Sequence, residues 1–204
     1  MGQDFRAIMG HRIDCLDSSE LLQNLDRITL EMSEELRTSG LDLVSDPASL
    51  KSWQWVWGLP GNRPDMTLWE RGESLSLSGP KSLTVILGQH SLSLGCWIRW
   101  QSFVRDRVLQ DSLRRMTYRF AKLFGANCAI YVPDSNSTLG EGAQNMVHEG
   151  ASIEEILRFV MGLQDAATPT DLIGKPSLPS SSKDTTVGQH SGYCIDLFAD
   201  LSAE

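Results

Sequence analysis

The sequence predicts an α+β fold: a two-layer arrangement in which a mainly antiparallel sheet carries three packed helices. Three observations lead there. Residues 74–98 hold three apolar runs of period two, separated by short breaks, the pattern of a meander. Three other segments place apolar side chains at helical spacing. Between two of those lies the compact apolar run Cys128-Ala129-Ile130-Tyr131-Val132, stopped by Pro133.

Taken in order, residues 5–13 form a candidate first strand. Asp17 with Glu20 three positions on is a capping box, and Leu21, Leu25, Ile28, Met32 and Leu36 continue it as one helical stripe. A helix over 18–38 follows, closed by Gly40. Trp53, Trp55 and Trp57 alternate, which places three indoles on one face of a strand. Met66–Trp69 reads as another short strand. In the meander, Leu75 and Leu77, then Leu83, Val85 and Leu87, then Leu92, Leu94, Cys96 and Ile98 mark one face, and serines dominate the other.

Residues 101–124 carry the stripe Val108 or Leu109, Leu113, Met116, Phe120 and Leu123 of a long helix ended by Gly125. Strand, helix and strand 127–132 in succession are compatible with a crossover, so a parallel pairing is open here. Val132–Asn136 reads as a turn, and Glu141-Gly142 and Glu149-Gly150 as loop polarity. Ser152 with Glu155 starts a third helix, 152–164.

The domain organisation expected is one globular α+β domain over 1–164, a Ser/Pro/Thr-rich flexible loop over 165–192, and a C-terminal strand within 193–204 that docks back.

The chain is acidic, with 26 Asp and Glu against 18 Lys and Arg and a net charge of -8. Residues 1–50 hold 4 basic and 10 acidic side chains, and residues 123–204 hold 3 and 11. Residues 99–122 are the exception, with 7 basic and 2 acidic. A net negative protein repels a phosphate backbone, which disfavours nucleic acid as a partner. The basic segment reads first as a solvated helix face that meets the acidic ends intramolecularly. No apolar run reaches the ~20 residues of a membrane helix, and no leader-like apolar region opens the chain. The four cysteines, Cys15, Cys96, Cys128 and Cys194, are far apart and have apolar neighbours. They are expected to be reduced core thiols of a cytoplasmic protein.

Motifs for phosphate loops, dinucleotides, nucleophile elbows and zinc proteases are missing, and the four histidines are scattered. No catalytic residue, cofactor or metal is therefore assigned. The expected function is that of a non-enzymatic acidic binding protein, immunity- or chaperone-like, acting on a protein partner that is itself basic. Its candidate binding residues are Glu31, Glu34 and Glu35 on the first helix and the indoles Trp53, Trp55, Trp57 and Trp69, for which core packing is the rival role. One alternative is a hydrolase-type enzyme, with Asp134 and Ser135 after a buried strand and His148 as an acid–base partner. The other is a structural or assembly subunit that forms a homo-oligomer through a sheet edge or the tryptophan face.

Overall fold

The structure, a computed structural model, describes residues 4–13, 17–38, 54–58, 64–134, 138–162 and 193–198. The strands are β1 (Asp4–Gly10), β2 (Val56–Trp57), β3 (Leu75–Ser78), β4 (Thr84–Leu87), β5 (Ser91–Arg99), β6 (Cys128–Pro133) and β7 (Cys194–Leu197). The helices are α1 (Ser18–Thr38), α2 (Met66–Glu70), α3 (Trp100–Arg105), α4 (Arg107–Phe124), α5 (Thr138–His148) and α6 (Ile153–Met161). The strands form one sheet in the order β2-β3-β4-β5-β1-β6-β7, and every pairing is antiparallel. This is the α+β sheet-and-helix architecture the sequence predicts.

The meander β3-β4-β5 lies where the alternation put it. The crossover is also present, since β5 and β6 both run antiparallel to β1 and hence run the same way as each other. No parallel ladder results, because β1 occupies the place between them. A strand made at the start of the chain thus becomes central in the sheet, with neighbours from residues 91–99 and 129–133.

Alternation along β1 sorts the core into two clusters. Phe5, Ala7 and Met9 face a large cluster with Leu25, Met32, Trp55, Trp57, Leu94, Trp100, Phe103, Phe120 and Tyr131. The helices α1, α3 and α4 supply that layer. Ile8 faces the other way, into a smaller cluster with Ile130, Val132, Val147, Ile156, Leu157 and Ile195, supplied by α5 and α6.

The helix ends follow their chemistry. Asp17 Oδ1 accepts from the backbone N–H groups of Ser19 and Glu20, at 3.0 and 3.1 Å. Ser152 and Glu155 complete a reciprocal capping box, and Gly125 closes α4 in the left-handed conformation at φ 67°. Asp106 interrupts the expected helix 101–124: its side chain caps α4 by accepting from Val108 and Leu109, so α3 ends and α4 begins there.

Two local expectations change. Met66–Glu70 is a helix and not a strand, because Asp65 accepts from Thr67 N–H and supplies the N-cap. Residues 138–148 form α5 where loop polarity was expected. Gly140 and Gly142 lower its helix propensity, and packing supplies the reason for both. A Cβ at Gly140 would collide with the Pro133 carbonyl, and one at Gly142 with the Phe159 ring of α6.

The expected flexible segment 165–192 lies outside the described residues. The chain returns as β7, which pairs with β6 through Cys128↔Leu197 and Ile130↔Ile195. An ion pair fixes it on the α4 side. The Asp196 carboxylate accepts from Arg114 Nε and Nη2, both at 2.7 Å, and from the Tyr131 hydroxyl at 2.8 Å. That contact, with Arg119 to Glu31 at 3.8 Å and Arg99 to Asp4 at 2.7 Å, shows the basic segment meeting acidic residues from both ends of the chain. Cys96, Cys128 and Cys194 are free and buried, and Cys15 lies outside the described residues. No helix among the described residues is long and apolar enough to cross a membrane.

Candidate functional site: a polar row on the sheet

The face that meets α5 and α6 is apolar at one side and polar at the other. Cross-strand register defines the polar side. Arg6 pairs with Val132 on one flank and Gly95 on the other, Gly95 pairs with Thr84, and Thr84 pairs with Ser78. These residues form one row across five strands, and their side chains share a face. The next row is Ile130, Ile8, Ser93, Ile86 and Ser76. Helix α5 crosses this face from Gly140, against Pro133, to Val147, whose carbonyl sits over Gly88. The row of Arg6, Gly95, Thr84 and Ser78 is the polar part of this face.

Arg6 is the charged group of this row. It is half-buried on a central strand, and Nη1 donates to Ser93 Oγ at 3.2 Å. A Cβ added at Gly95 would stand 3.4 Å from that Nη1 and 3.0 Å from Thr84 Oγ1. The guanidinium thus lies over the Gly95 backbone, and a Cβ there would be tight only against Thr84. Burial lowers the Arg6 pKa from its ordinary value, and the nearby charges of Asp134 and Asp4 act against that shift. The Arg6 Nε is buried and has no hydrogen-bond partner.

Helix α5 carries Gln144 and His148 one turn apart. The Gln144 side-chain oxygen is the second buried polar atom left without a partner. His148 Nδ1 lies 2.7 Å from Ser74 Oγ. Partial desolvation first, and then the Arg6 charge, push the His148 pKa below its ordinary value, so the ring is neutral near pH 7.

The candidate residues named from sequence distribute as follows. Asp134 ends β6 half-buried, with its N–H donated to the Asp4 carbonyl at 2.8 Å. It and His148 are brought to one neighbourhood by Arg6, whose charge interacts with both. The hydrogen bond of His148 goes to Ser74, and Ser135 lies outside the described residues. Trp55 and Trp57 are 2% and 3% exposed. Trp55 donates its indole N–H to Thr29 Oγ1 at 2.9 Å and its backbone N–H to Asp26. Both indoles are core residues and offer no surface to a partner, because the side of the sheet they occupy is covered by α1 and α4. Trp69 is half-buried near His11, and Trp53 lies outside the described residues. Glu31 is exposed on α1; Glu34 and Glu35 lie on the same helix, their side chains outside the described set.

Arg6, Ser74, Gly95, Trp97 and Gln144 were not among the residues expected to act. One signal was available for Arg6: a charge in the middle of the apolar strand DFRAIMG, at a position whose parity matches Ile8. Trp97 lies on β5 two residues beyond Gly95, where the register against β1 shifts, and is 78% exposed. Among the described residues no group of three or more His, Cys, Asp or Glu is placed to hold a metal ion. No family model, curated protein or solved structure matches the chain.

Proposed function

We propose that this is a non-enzymatic binding protein that acts on a basic protein partner in the cytoplasm, in the manner of an immunity protein or a chaperone. The observation that carries the reading is the outer face of α1. Leu30 is 57% exposed there, next to exposed Glu31, and by helical spacing Arg27, Leu30 and Glu31 share that face. An apolar side chain beside charged ones is the composition of a contact whose centre is desolvated and whose rim is charged. The net charge of -8 supports a basic partner, since complementary charge raises association rates. Free buried thiols fit a reducing compartment.

The test is a charge reversal of Glu31, Glu34 and Glu35 to Lys, made alongside Leu30→Ser, on the partner that co-purifies from the native host. Both variants should keep the fold. The core stripe of α1 faces away, and the Glu31–Arg119 pair is long and exposed on both sides, worth at most ~1 kcal/mol. The reversal should lower the association rate, and raising salt should weaken the wild-type complex. An unchanged rate with salt-independent affinity rejects this face.

A second reading has one observation in its favour. Ser74 Oγ and the neutral His148 stand at hydrogen-bond distance, the relation of a nucleophile to its base, beside the Arg6 cation. Under this hydrolase reading an alkyl fluorophosphonate labels Ser74, and His148→Ala stops the labelling. Absence of label on the wild-type protein removes the reading.

A further inference from the structure

We infer that β7 is a docking edge for a second copy of this chain, and that two copies pair their β7 strands antiparallel about a two-fold axis to make one continuous sheet. This edge is separate from the α1 face proposed for the protein partner, and the two stand or fall independently.

The first ground is the direction of the backbone. Strand β7 ends the sheet, and the opposite edge strand, β2, has only two residues. The Phe198 N–H donates to the Asn127 carbonyl at 2.8 Å, one step beyond the pair Cys128↔Leu197. Backbone groups alternate in direction along a strand, so Cys194, Asp196 and Phe198 bond toward β6, while Tyr193, Ile195 and Leu197 turn theirs outward. No strand among the described residues meets them. The edge has neither proline nor bulge, two of the devices that keep strands from pairing. Its one charge, Asp196, points to α4 and is bonded to Arg114 and Tyr131.

The second ground is register. With the axis at Ile195, that residue faces its own copy, and Tyr193 faces Leu197 of the second copy. All three side chains lie on the α5–α6 side of the sheet, Ile195 buried and the outer two half-buried. The pairing extends this apolar row across the axis and covers what is open of it. On the α4 side Asp196 faces Cys194 of the second copy. An axis at Asp196 would instead set two carboxylates directly opposite, which is destabilising.

The third ground is charge. A net charge of -8 opposes self-association in general. The groove of about 280 Å³ between α4 and β7 is balanced, because its charged lining is Asp111, Arg114, Arg115 and Asp196. A two-fold contact needs a self-complementary patch. Asp196 holds Arg114 near the level of the axis, and Asp111 and Arg115 lie one turn apart on the exposed side of α4. The axis sets the two α4 helices antiparallel, which brings Asp111 of each copy toward Arg115 of the other.

The test is sedimentation equilibrium of the full-length protein from micromolar to millimolar concentration. The mass should rise from 22.6 kDa toward twice that. Amide exchange at Ile195 and Leu197 should slow as concentration rises. Leu197→Pro removes an outward N–H from each copy and leaves the bonds to β6, so it should weaken the dimer about tenfold or more. Arg115→Asp, at an exposed position, should weaken it several-fold. Adding Asp111→Arg to that variant should restore the dimer, a rescue that misfolding does not produce. A mass that stays at 22.6 kDa, exchange at 195 and 197 that ignores concentration, a dimer indifferent to both Leu197→Pro and Arg115→Asp, or a charge swap that restores nothing each overturns the proposal.

Discussion

Replacing Asp196 with Ala should release the C-terminal strand and cost a large part of the fold's stability. The carboxylate accepts two charge-assisted hydrogen bonds from Arg114, each 2.7 Å, and one from the Tyr131 hydroxyl at 2.8 Å. These contacts hold the Arg114 guanidinium more firmly protonated than usual. They act with burial, the larger cause, to push the Tyr131 phenol well up. After the substitution Tyr131, 0% exposed, keeps its hydroxyl with no acceptor, a stranded group that costs ~1–3 kcal/mol. Loss of the charged hydrogen bonds adds ~1.5–3 kcal/mol. The Arg114 side chain is 28% exposed and regains water, which keeps its share near the lower end. A total of about 3–4 kcal/mol follows, against the ~5–15 kcal/mol typical of a whole domain. Tyr131→Phe leaves the Arg114 bonds in place and should cost only ~1 kcal/mol. Urea denaturation at constant slope measures both, and a double-mutant cycle with Arg114→Ala should show strong coupling. Amide exchange at 194–197 should accelerate in Asp196→Ala before the rest of the sheet responds. A loss below about 1 kcal/mol, or additivity in the cycle, would refute the reasoning.

Ile130 is 0% exposed on the central part of the sheet, so Ile130→Ala should cost ~2–4 kcal/mol in chemical denaturation. Burial pushes the thiols of Cys96, Cys128 and Cys194 up to about 12. In a Cys15→Ser background, alkylation at mildly basic pH should therefore proceed only as fast as the protein opens, and rapid native-state labelling would contradict their burial. His148 has a folded-state pKa below the ordinary 6.5. Between those two values the unfolded chain binds more protons, so the associated stability is fully present above about 6.5 and declines as pH falls. His148→Gln should flatten that slope in denaturation series at several pH values, and an unchanged slope would show that another group titrates.

The local chemistry of this chain was written in its sequence wherever one segment carried its own complete signal. The period-two runs of 75–98 became β3, β4 and β5. The stripe Leu21, Leu25, Ile28 and Met32 became the buried side of α1, and the two capping motifs became helix starts. Such patterns are legible because a strand or helix repeats its contact with the core every two, or every three to four, residues. Asp106 and Asp65 carried the same kind of information, but each required weighing a cap against a continuing apolar pattern. What the tertiary structure alone decided lies between distant segments. The insertion of β1 between β5 and β6 turned the crossover into two antiparallel pairs. Helix α5 carries Gly140 and Gly142 because a Cβ there would collide with Pro133 and Phe159, and these contacts leave no period in the sequence. Of the indoles, Trp55 and Trp57 went inside and Trp97 stayed open, an outcome set by where α1 and α4 lie on the sheet. The cross-strand row of Arg6, Gly95 and Thr84, and the Asp196 lock on Arg114 and Tyr131, draw on residues up to 89 positions apart. Single polar residues have no periodicity of their own, so only the register that brings them face to face gives them a shared chemistry.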